Sequence, residues 1–152
     1  MKQQYLSLIL LIERLHRRFL DVIKTELERQ GIEDINNVQT LILYNIGTEQ
    51  LTVGELTHRG YYLGSNVSYN VKKLVESDYL IQERSAHDKR SIKVKLSDKG
   101  LKLCDKIDEL YQSHVDKLEG APLDEERMKV TFENLRQLEK FWSDFVSSVS
   151  EF

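Results

Sequence analysis

Apolar residues in this chain follow two different spacings, and each spacing predicts a different kind of secondary structure. Over long stretches they recur every three or four positions, which is typical of an amphipathic helix. In one short stretch they recur at every second position, which is typical of a strand with one buried face. The first helical stretch ends at Gly31, a residue type common at helix C-termini, and the last runs from Met128 to Phe152. The N-terminal stripe consists of Leu8, Ile12, Leu15, Phe19 and Val22.

Three further helices are predicted between the first helix and the alternating stretch. Asn36 followed by Gln39, and Thr52 followed by Glu55, match the capping-box pattern that opens a helix. The first of these two helices runs to Gly47, and the second runs to about residue 59. The segment "YYLGS" then predicts a turn, and a fourth helix covers about residues 65–77.

The alternating stretch predicts a β-hairpin made of "YLIQER" and "SIKVKL". In its second strand Ile92, Val94 and Leu96 lie on one face, while Lys93 and Lys95 lie on a wet, basic face. A fifth helix follows, with Ser97 as its N-cap. Its predicted apolar stripe consists of Leu101, Cys104, Ile107, Leu110 or Tyr111, and Val115.

This order of elements predicts a mainly α (α+β) fold in a single domain of 152 residues. Two short helices joined by a turn and followed by a basic hairpin form a winged helix-turn-helix. In that fold the second short helix has the right size for the major groove of DNA. The sequence therefore predicts a DNA-binding lobe between two long terminal helices.

The composition argues against several kinds of site and several classes of protein. Cys104 is the only cysteine, which excludes an internal disulfide and a multi-cysteine zinc site. The four histidines do not have a metal-binding spacing, and no nucleotide-binding or hydrolase motif is present. We therefore predict no catalytic residue, metal or cofactor. No apolar stretch is long enough to cross a membrane, and the N-terminus lacks a signal-peptide cleavage site, so we expect a cytoplasmic protein.

Charge is distributed unevenly along the chain. The whole sequence has a net charge of −3, but residues 53–102 contain ten Lys and Arg against six acidic residues, a net +4. This asymmetry suggests that the middle of the chain contacts an anion. Ordinary surface variation accounts for the same numbers, so charge alone does not decide the matter.

The fourth helix provides a sharper test, because its two faces differ. At about 100° per residue Val67, Val71, Leu74 and Val75 cluster on one face, which we expect to pack inward. The outer face then carries side chains that bond to base edges or phosphates. A face that is merely solvated is the alternative, but a large aromatic ring at its centre favours a partner. The predicted DNA contacts on this helix are Ser65, Asn66, Ser68, Tyr69, Lys72 and Lys73.

The segment that begins with the fourth helix resembles a known family. The segment "NVSYNVKKLVESDYLIQERSAHDKRSIKVKLSDKG" is similar to that of the multiple antibiotic resistance regulator (MarR) family, whose wing carries Asp-x-Arg. Asp88, Lys89 and Arg90 match that wing, and Leu96, Ser97 and Gly100 match the opening of the next helix. The resemblance implies that a wing over residues 85–91 meets the minor groove, with Arg90 inserted, Asp88 orienting it and the wing lysines near phosphates. Within the family, "RGYYLGSNVSYNVKKL" most resembles the LdtR-like alphaproteobacterial branch.

The resemblance also implies a bacterial homodimer on double-stranded DNA. Residues 1–35 and 98–152 would be dimerisation helices, and residues 36–97 the DNA-binding lobe. Two recognition helices about 34 Å apart would require a pseudo-palindromic operator, and such proteins usually act as repressors. Packing of the terminal helices within one chain is the alternative. The implied interface contains Leu6, Ile9, Ile12, Phe141, Trp142, Phe145, Val146, Val149 and Phe152.

Family members often release DNA when a small aromatic or phenolic acid binds. Here the lining of such a pocket would be His16, Phe19, Leu20, Tyr44 and Tyr111, although core packing also explains these residues. A winged-helix module that binds protein instead of specific DNA is the competing function. Such a module would not need Lys72, Lys73 and Arg90.

Overall fold

The computed structural model describes residues 1–60, 64–84, 87 and 91–150. The described part of the chain contains six helices and a three-stranded sheet, in the order that the sequence predicts apart from one added strand. The elements are α1 (Lys2–Arg29), α2 (Asn37–Ile46), β1 (Leu51–Thr52), α3 (Val53–Gly60), α4 (Gly64–Glu76), β2 (Leu80–Arg84), β3 (Ile92–Leu96), α5 (Asp98–Leu118) and α6 (Glu125–Ser150).

The predicted starts of α2 and α3 and the predicted end of α1 are confirmed, because each depends on neighbouring residues only. Asn36 and Gln39 form a complete capping box, in which each side chain accepts a hydrogen bond from the other residue's backbone N–H. The Thr52 hydroxyl accepts from the Glu55 N–H at 3.0 Å. Gly31 follows α1 with a φ of +68°, a conformation that glycine adopts at little cost.

The sheet is antiparallel, with β3 in the middle and β1 and β2 at its edges. Leu80 pairs with Leu96, and Leu51 pairs with Val94, so these four apolar residues meet on the inner face. All four are at least 94% buried. The sequence did not predict β1, which has only two residues and is defined by its partner 41 positions later in β3.

One predicted stripe is partly wrong. The buried residues of α5 are Gly100, Leu103 and Ile107, whereas Leu101 is 39% exposed and Val115 is 57% exposed. The inward face of α5 is therefore rotated from the predicted one. The rotation follows from how closely Gly100 approaches the chain just before β2, which the helical spacing of apolar residues does not reveal.

The described chain forms two compact units, Met1–Leu110 and Tyr111–Phe152. The first contains the sheet and a core that includes Ile23, Ile42, Leu43, Ile46 and Leu56, each at most 1% exposed. The second contains the end of α5 and all of α6, a helix with no buried residue. No described helix is both long enough and apolar enough to span a membrane.

Candidate nucleic-acid interface

Helix α4 separates its side chains into an inner and an outer face as predicted. Val67, Val71 and Leu74 are at most 2% exposed and pack into the first unit, while Val75 is half-buried. Burial of three aliphatic side chains fixes the rotation of the helix about its axis, at roughly 1.5–3 kcal/mol each. The outer face is thereby turned to solvent without any cost to the core.

That outer face carries five of the predicted contacts close together. Asn66, Ser68 and Lys72 are exposed, and Tyr69 has 60% of its surface exposed in the middle of the group. The Lys73 ammonium lies 5.7 Å from the centre of the Tyr69 ring and 3.6 Å from the Glu76 carboxylate. An exposed ring flanked by amide, hydroxyl and ammonium groups suits base edges and phosphates.

A hydrogen bond from α2 holds the middle of α4. The Gln39 amide donates to the Asn70 side-chain oxygen at 3.1 Å, and the Asn70 amide donates to the Asn66 carbonyl at 2.9 Å. The same Gln39 side chain completes the capping box of α2. One glutamine therefore ties the start of α2 to α4. Sequence reasoning identified its capping role and missed its contact with Asn70.

A second set of contacts, here called the α4–α5 junction, holds the C-terminal end of α4. Asp78 has a φ of +65°, and the Tyr79 N–H donates back to the Leu74 carbonyl at 2.9 Å, which is the Schellman geometry. Two side chains at the start of α5 then donate hydrogen bonds to the exposed carbonyls at the end of α4. The Ser97 hydroxyl donates to the Asp78 carbonyl at 2.5 Å, and the Lys99 ammonium donates to the Ser77 carbonyl at 2.9 Å.

Glycine at position 100 is what lets α5 come this close. A Cβ at Gly100 would lie 2.5 Å from the Tyr79 carbonyl oxygen, well inside van der Waals contact. That oxygen also accepts the Ser97 N–H at 3.0 Å, so it is fixed in place. The spacing of Leu96, Ser97 and Gly100 is thus explained by two contacts. The Ser97 side chain caps α5, and Gly100 leaves room for the backbone of Tyr79 just before β2.

An ionic cluster extends the junction to the loop before α2. The Asp34 carboxylate accepts from the Tyr79 hydroxyl and from the Lys99 ammonium, both at 2.6 Å, and Lys99 also lies 4.2 Å from the Tyr79 ring centre. Partial burial alone would raise the pKa of Asp34, but the bonds from Lys99 and Tyr79 outweigh it and lower that pKa. Burial, with the bond to Asp34, raises the pKa of Tyr79. The cluster is therefore fully formed at neutral pH.

Two cations near the predicted interface are already paired. Lys95 lies 2.7 Å from Glu83, and Arg59 forms an ion pair with Glu49. Hydrogen bonds from these cations lower the pKa of both glutamates. The outer face of the sheet is therefore less basic than predicted, and phosphate contact by Lys95 would require breaking its ion pair. Ile92, predicted on the inner face, is 37% exposed.

The predicted wing falls largely outside the described residues. Asp88, Lys89 and Arg90 lie there, as does the side chain of Ser65 on α4. Their roles stay predictions.

Comparison with known proteins identifies the family to which this architecture belongs. Residues 33–91 match the family model described as "MarR family". The chain is 37% identical over 140 residues, 92% of its own length and 72% of the relative's, to the Rhizobium meliloti exopolysaccharide II synthesis transcriptional activator ExpG. This protein belongs to the MarR family.

Two solved structures share its fold over almost their whole length. The DNA complex of Streptococcus pneumoniae FabT has a TM-score of 0.76 at 19% identity, covering 93% of this chain and 99% of the other. Staphylococcus aureus MarR in complex with salicylate and kanamycin has a TM-score of 0.69 at 25% identity, covering 94% and 96%. As a MarR-family member with a winged helix-turn-helix, the chain is a transcriptional regulator and not an enzyme.

The predicted effector residues of this MarR-family chain occupy different environments. His16 and Phe19 are exposed on α1, while Leu20 and Tyr44 are half-buried. The Tyr44 hydroxyl donates to Asp108 on α5. Tyr111 belongs to the second unit. The cavity beside the α4–α5 junction, of about 460 Å³, is lined by none of these residues.

Cys104 of this MarR-family chain is half-buried on α5, and its environment makes an oxidation switch there unfavourable. Burial, with the nearby Asp108 and Asp105 carboxylates, raises the pKa of its thiol to about 11. The reactive thiolate is therefore rare at neutral pH.

We expect Cys104 in the native protein to react with iodoacetamide at pH 7.5 roughly 100-fold more slowly than a free thiol. The rate should rise about tenfold per pH unit with the thiolate fraction, and should level off only above the raised pKa, near pH 11. Labelling followed by mass spectrometry measures this, with the guanidinium-unfolded protein as the control. Equal rates in the folded and unfolded protein would contradict the prediction.

Proposed function

We propose that this protein binds a pseudo-palindromic DNA operator as a homodimer, with α4 in the major groove and the wing at the minor groove. The observation that carries this proposal is the outer face of α4. Its exposed Asn66, Tyr69 and Lys72 lie on a helix that buries Val67, Val71 and Leu74, bonds to α2 at its middle and is held by α5 at its C-terminal end. A rigidly held helix with an open polar face supports base recognition. The FabT structure, which contains DNA, supports the same partner.

The second copy is proposed from the apolar surface of α1 and α6. Phe141, Phe145 and Val146 are each 62% or more exposed in the single chain, and Leu6 is 49% exposed. Exposed apolar surface of this kind on each helix is typical of an interface. Residues 1–35 and 98–152 would then form the dimerisation region, and residues 36–97 the DNA-binding lobe.

The test of the proposal is selection of bound sequences from a random duplex pool by the purified protein at near-physiological salt. We expect a pseudo-palindrome whose half-sites are about 10 bp apart, one helical turn. Failure to enrich any sequence would instead favour a winged-helix module that binds protein.

Lys72 provides a quantitative check of the interface. It is exposed and, among the described residues, forms no ion pair, unlike Lys73. If it contacts one phosphate, Lys72→Ala should lower the slope of log affinity against log salt concentration by about one unit. Filter binding at several salt concentrations measures the slope, and Lys24→Ala on α1 is the matched control. An unaltered slope for Lys72→Ala would exclude this phosphate contact.

The sign of regulation and the effector complete the proposal. We propose a cytoplasmic repressor of the LdtR-like branch, on the resemblance of residues 59–74, whereas the relative ExpG is named an activator. A promoter–reporter fusion carrying the selected operator decides the sign.

A small aromatic acid as releasing ligand is supported by the salicylate complex of staphylococcal MarR. Salicylate should then weaken operator binding, and Phe19→Ala should reduce that response.

A further inference from the structure

Two hydrogen bonds from side-chain amides join α1 to α4 through the start of α2. Asn37, the first residue of α2, donates from its amide to the Leu20 carbonyl of α1 at 3.2 Å. Two residues later, the Gln39 amide donates to the Asn70 side-chain oxygen of α4 at 3.1 Å. These two contacts are here called the amide path. Asn37, Gln39 and Asn70 are half-buried, so water competes for their hydrogen bonds less than it does at an open surface.

The start of α2 is a rigid link in this path, because each amide also bonds within α2. The Gln39 oxygen accepts from the Asn36 N–H at 3.1 Å as part of the capping box, which leaves its NH2 group for Asn70. The Asn37 oxygen accepts from the Val38 N–H at 2.8 Å, which leaves its NH2 group for α1. Neither side chain can rotate away without breaking two hydrogen bonds.

The path ends beside a proposed base contact. The Asn70 amide donates to the carbonyl of Asn66, whose side chain is exposed on the outer face of α4. Apolar packing beneath α4 is non-directional, so by itself it permits small shifts of the helix along the core. Hydrogen bonds depend on direction as well as distance. The amide path therefore restricts the position of α4 in a way that the apolar core does not.

We propose that the amide path fixes α4 relative to α1, and that in the dimer it thereby sets which half-site spacings the protein accepts. The first step concerns a single chain. The second step rests on the proposed function, in which α1 belongs to the dimerisation region and α4 lies in the major groove. The separation of the two copies of α4 is then transmitted through both copies of α1. Asn37, Gln39 and Asn70 are positioning residues in this proposal.

Operator spacing is the readout that a purely stabilising role would not change. One base pair inserted or deleted at the operator centre shifts a half-site by about 3.4 Å and rotates it by about 35°. Gel-shift titration at fixed salt measures affinity for the selected operator and for both altered operators. We expect the wild type to prefer the selected spacing by about tenfold or more. Equal affinity for the three operators would overturn the second step.

Two variants each break one contact of the path and keep the cap of α2. Asn37→Asp retains an oxygen for its bond within α2 but loses the NH2 group that donates to Leu20. Asn70→Ala removes the oxygen that accepts from Gln39. Each variant should reduce the preference for the selected spacing at least about threefold. Because the two contacts act in series, the double variant should lose no more than either single variant.

Gln50→Ala is the matched control, because it removes a side-chain amide bond of 3.2 Å to Glu83 that lies outside the amide path. It should keep the wild-type spacing preference. An unchanged preference in either Asn37→Asp or Asn70→Ala, a similar loss in Gln50→Ala, or additive losses in the double variant would overturn the serial path.

Amide hydrogen exchange of the full chain without DNA tests the first step independently. Asn37→Asp should speed exchange in α4 at least about threefold relative to β3, although the bond that it removes is to α1. Gln50→Ala should leave this ratio unchanged. An unchanged ratio in Asn37→Asp would overturn the coupling of α4 to α1. If the protein selects no operator, the proposed function fails, while the exchange ratio still decides this coupling.

Discussion

Gly100→Ala should lower the free energy of unfolding by about 2 kcal/mol. The added carbon would lie 2.5 Å from the Tyr79 carbonyl oxygen and 3.4 Å from the Leu96 Cβ. Overpacking of this kind costs up to about 3 kcal/mol, and the better helix propensity of alanine returns up to about 1 kcal/mol. The steric term therefore wins. Relief by movement of Tyr79 is blocked because its carbonyl accepts from Ser97 and its hydroxyl donates to Asp34.

The measurement is chemical unfolding at a fixed protein concentration, which matters because the proposed dimerisation would add to stability. Gly54→Ala in α3 is the matched control, since its added carbon meets nothing closer than the Thr52 hydroxyl at 3.8 Å. It should leave stability unchanged or raise it by up to about 1 kcal/mol. Equal unfolding midpoints for the two variants would show that α5 moves away from Tyr79 at little cost.

Phe145→Glu should convert the protein to monomers and weaken operator binding by about 10² to 10⁴. Phe145 is 62% exposed in the single chain, on a helix that buries nothing within that chain. If a second copy covers this surface, a charge there is desolvated without a partner, which strongly disfavours the dimer. A monomer contacts one half-site only, so it loses the gain from two linked contacts.

Analytical ultracentrifugation at micromolar concentration measures the association state, and a gel-shift titration measures operator affinity. Ser147→Glu provides the control, because Ser147 lies roughly 200° around α6 from Phe145, on the face of Arg136 and Lys140. It should remain a dimer and bind the operator normally. A stable dimer of Phe145→Glu would place the interface elsewhere.

Local signals were predictable from the sequence. The caps at Asn36, Thr52 and Ser97 are confirmed, since each depends on side chains within three residues of the backbone group that they satisfy. The inner face of α4 is confirmed for the same reason, because helical spacing alone places Val67, Val71 and Leu74 together. The exposure of the predicted DNA-contacting face follows directly.

Contacts between distant segments were not predictable. The two-residue β1 exists because β3 pairs with it, and the rotation of α5 depends on the approach of Gly100 to Tyr79. Alternation correctly placed Lys95 on the outer face, but nothing nearby in the sequence indicates that Glu83 neutralises it. The Gln39–Asn70 bond and the Asp34 cluster likewise join residues 31 to 65 positions apart.

The way in which α4 is held has a consequence for how this regulator can change over evolution. Its attachment depends on Val67, Val71 and Leu74 underneath, on Gln39 at its middle and on Ser97 and Lys99 at its C-terminal end. Of the exposed outer residues, Ser68, Tyr69 and Lys72 take no part in that attachment. If these side chains contact the operator as proposed, a lineage can exchange them and so acquire new target promoters, while the folding of the protein is left almost untouched.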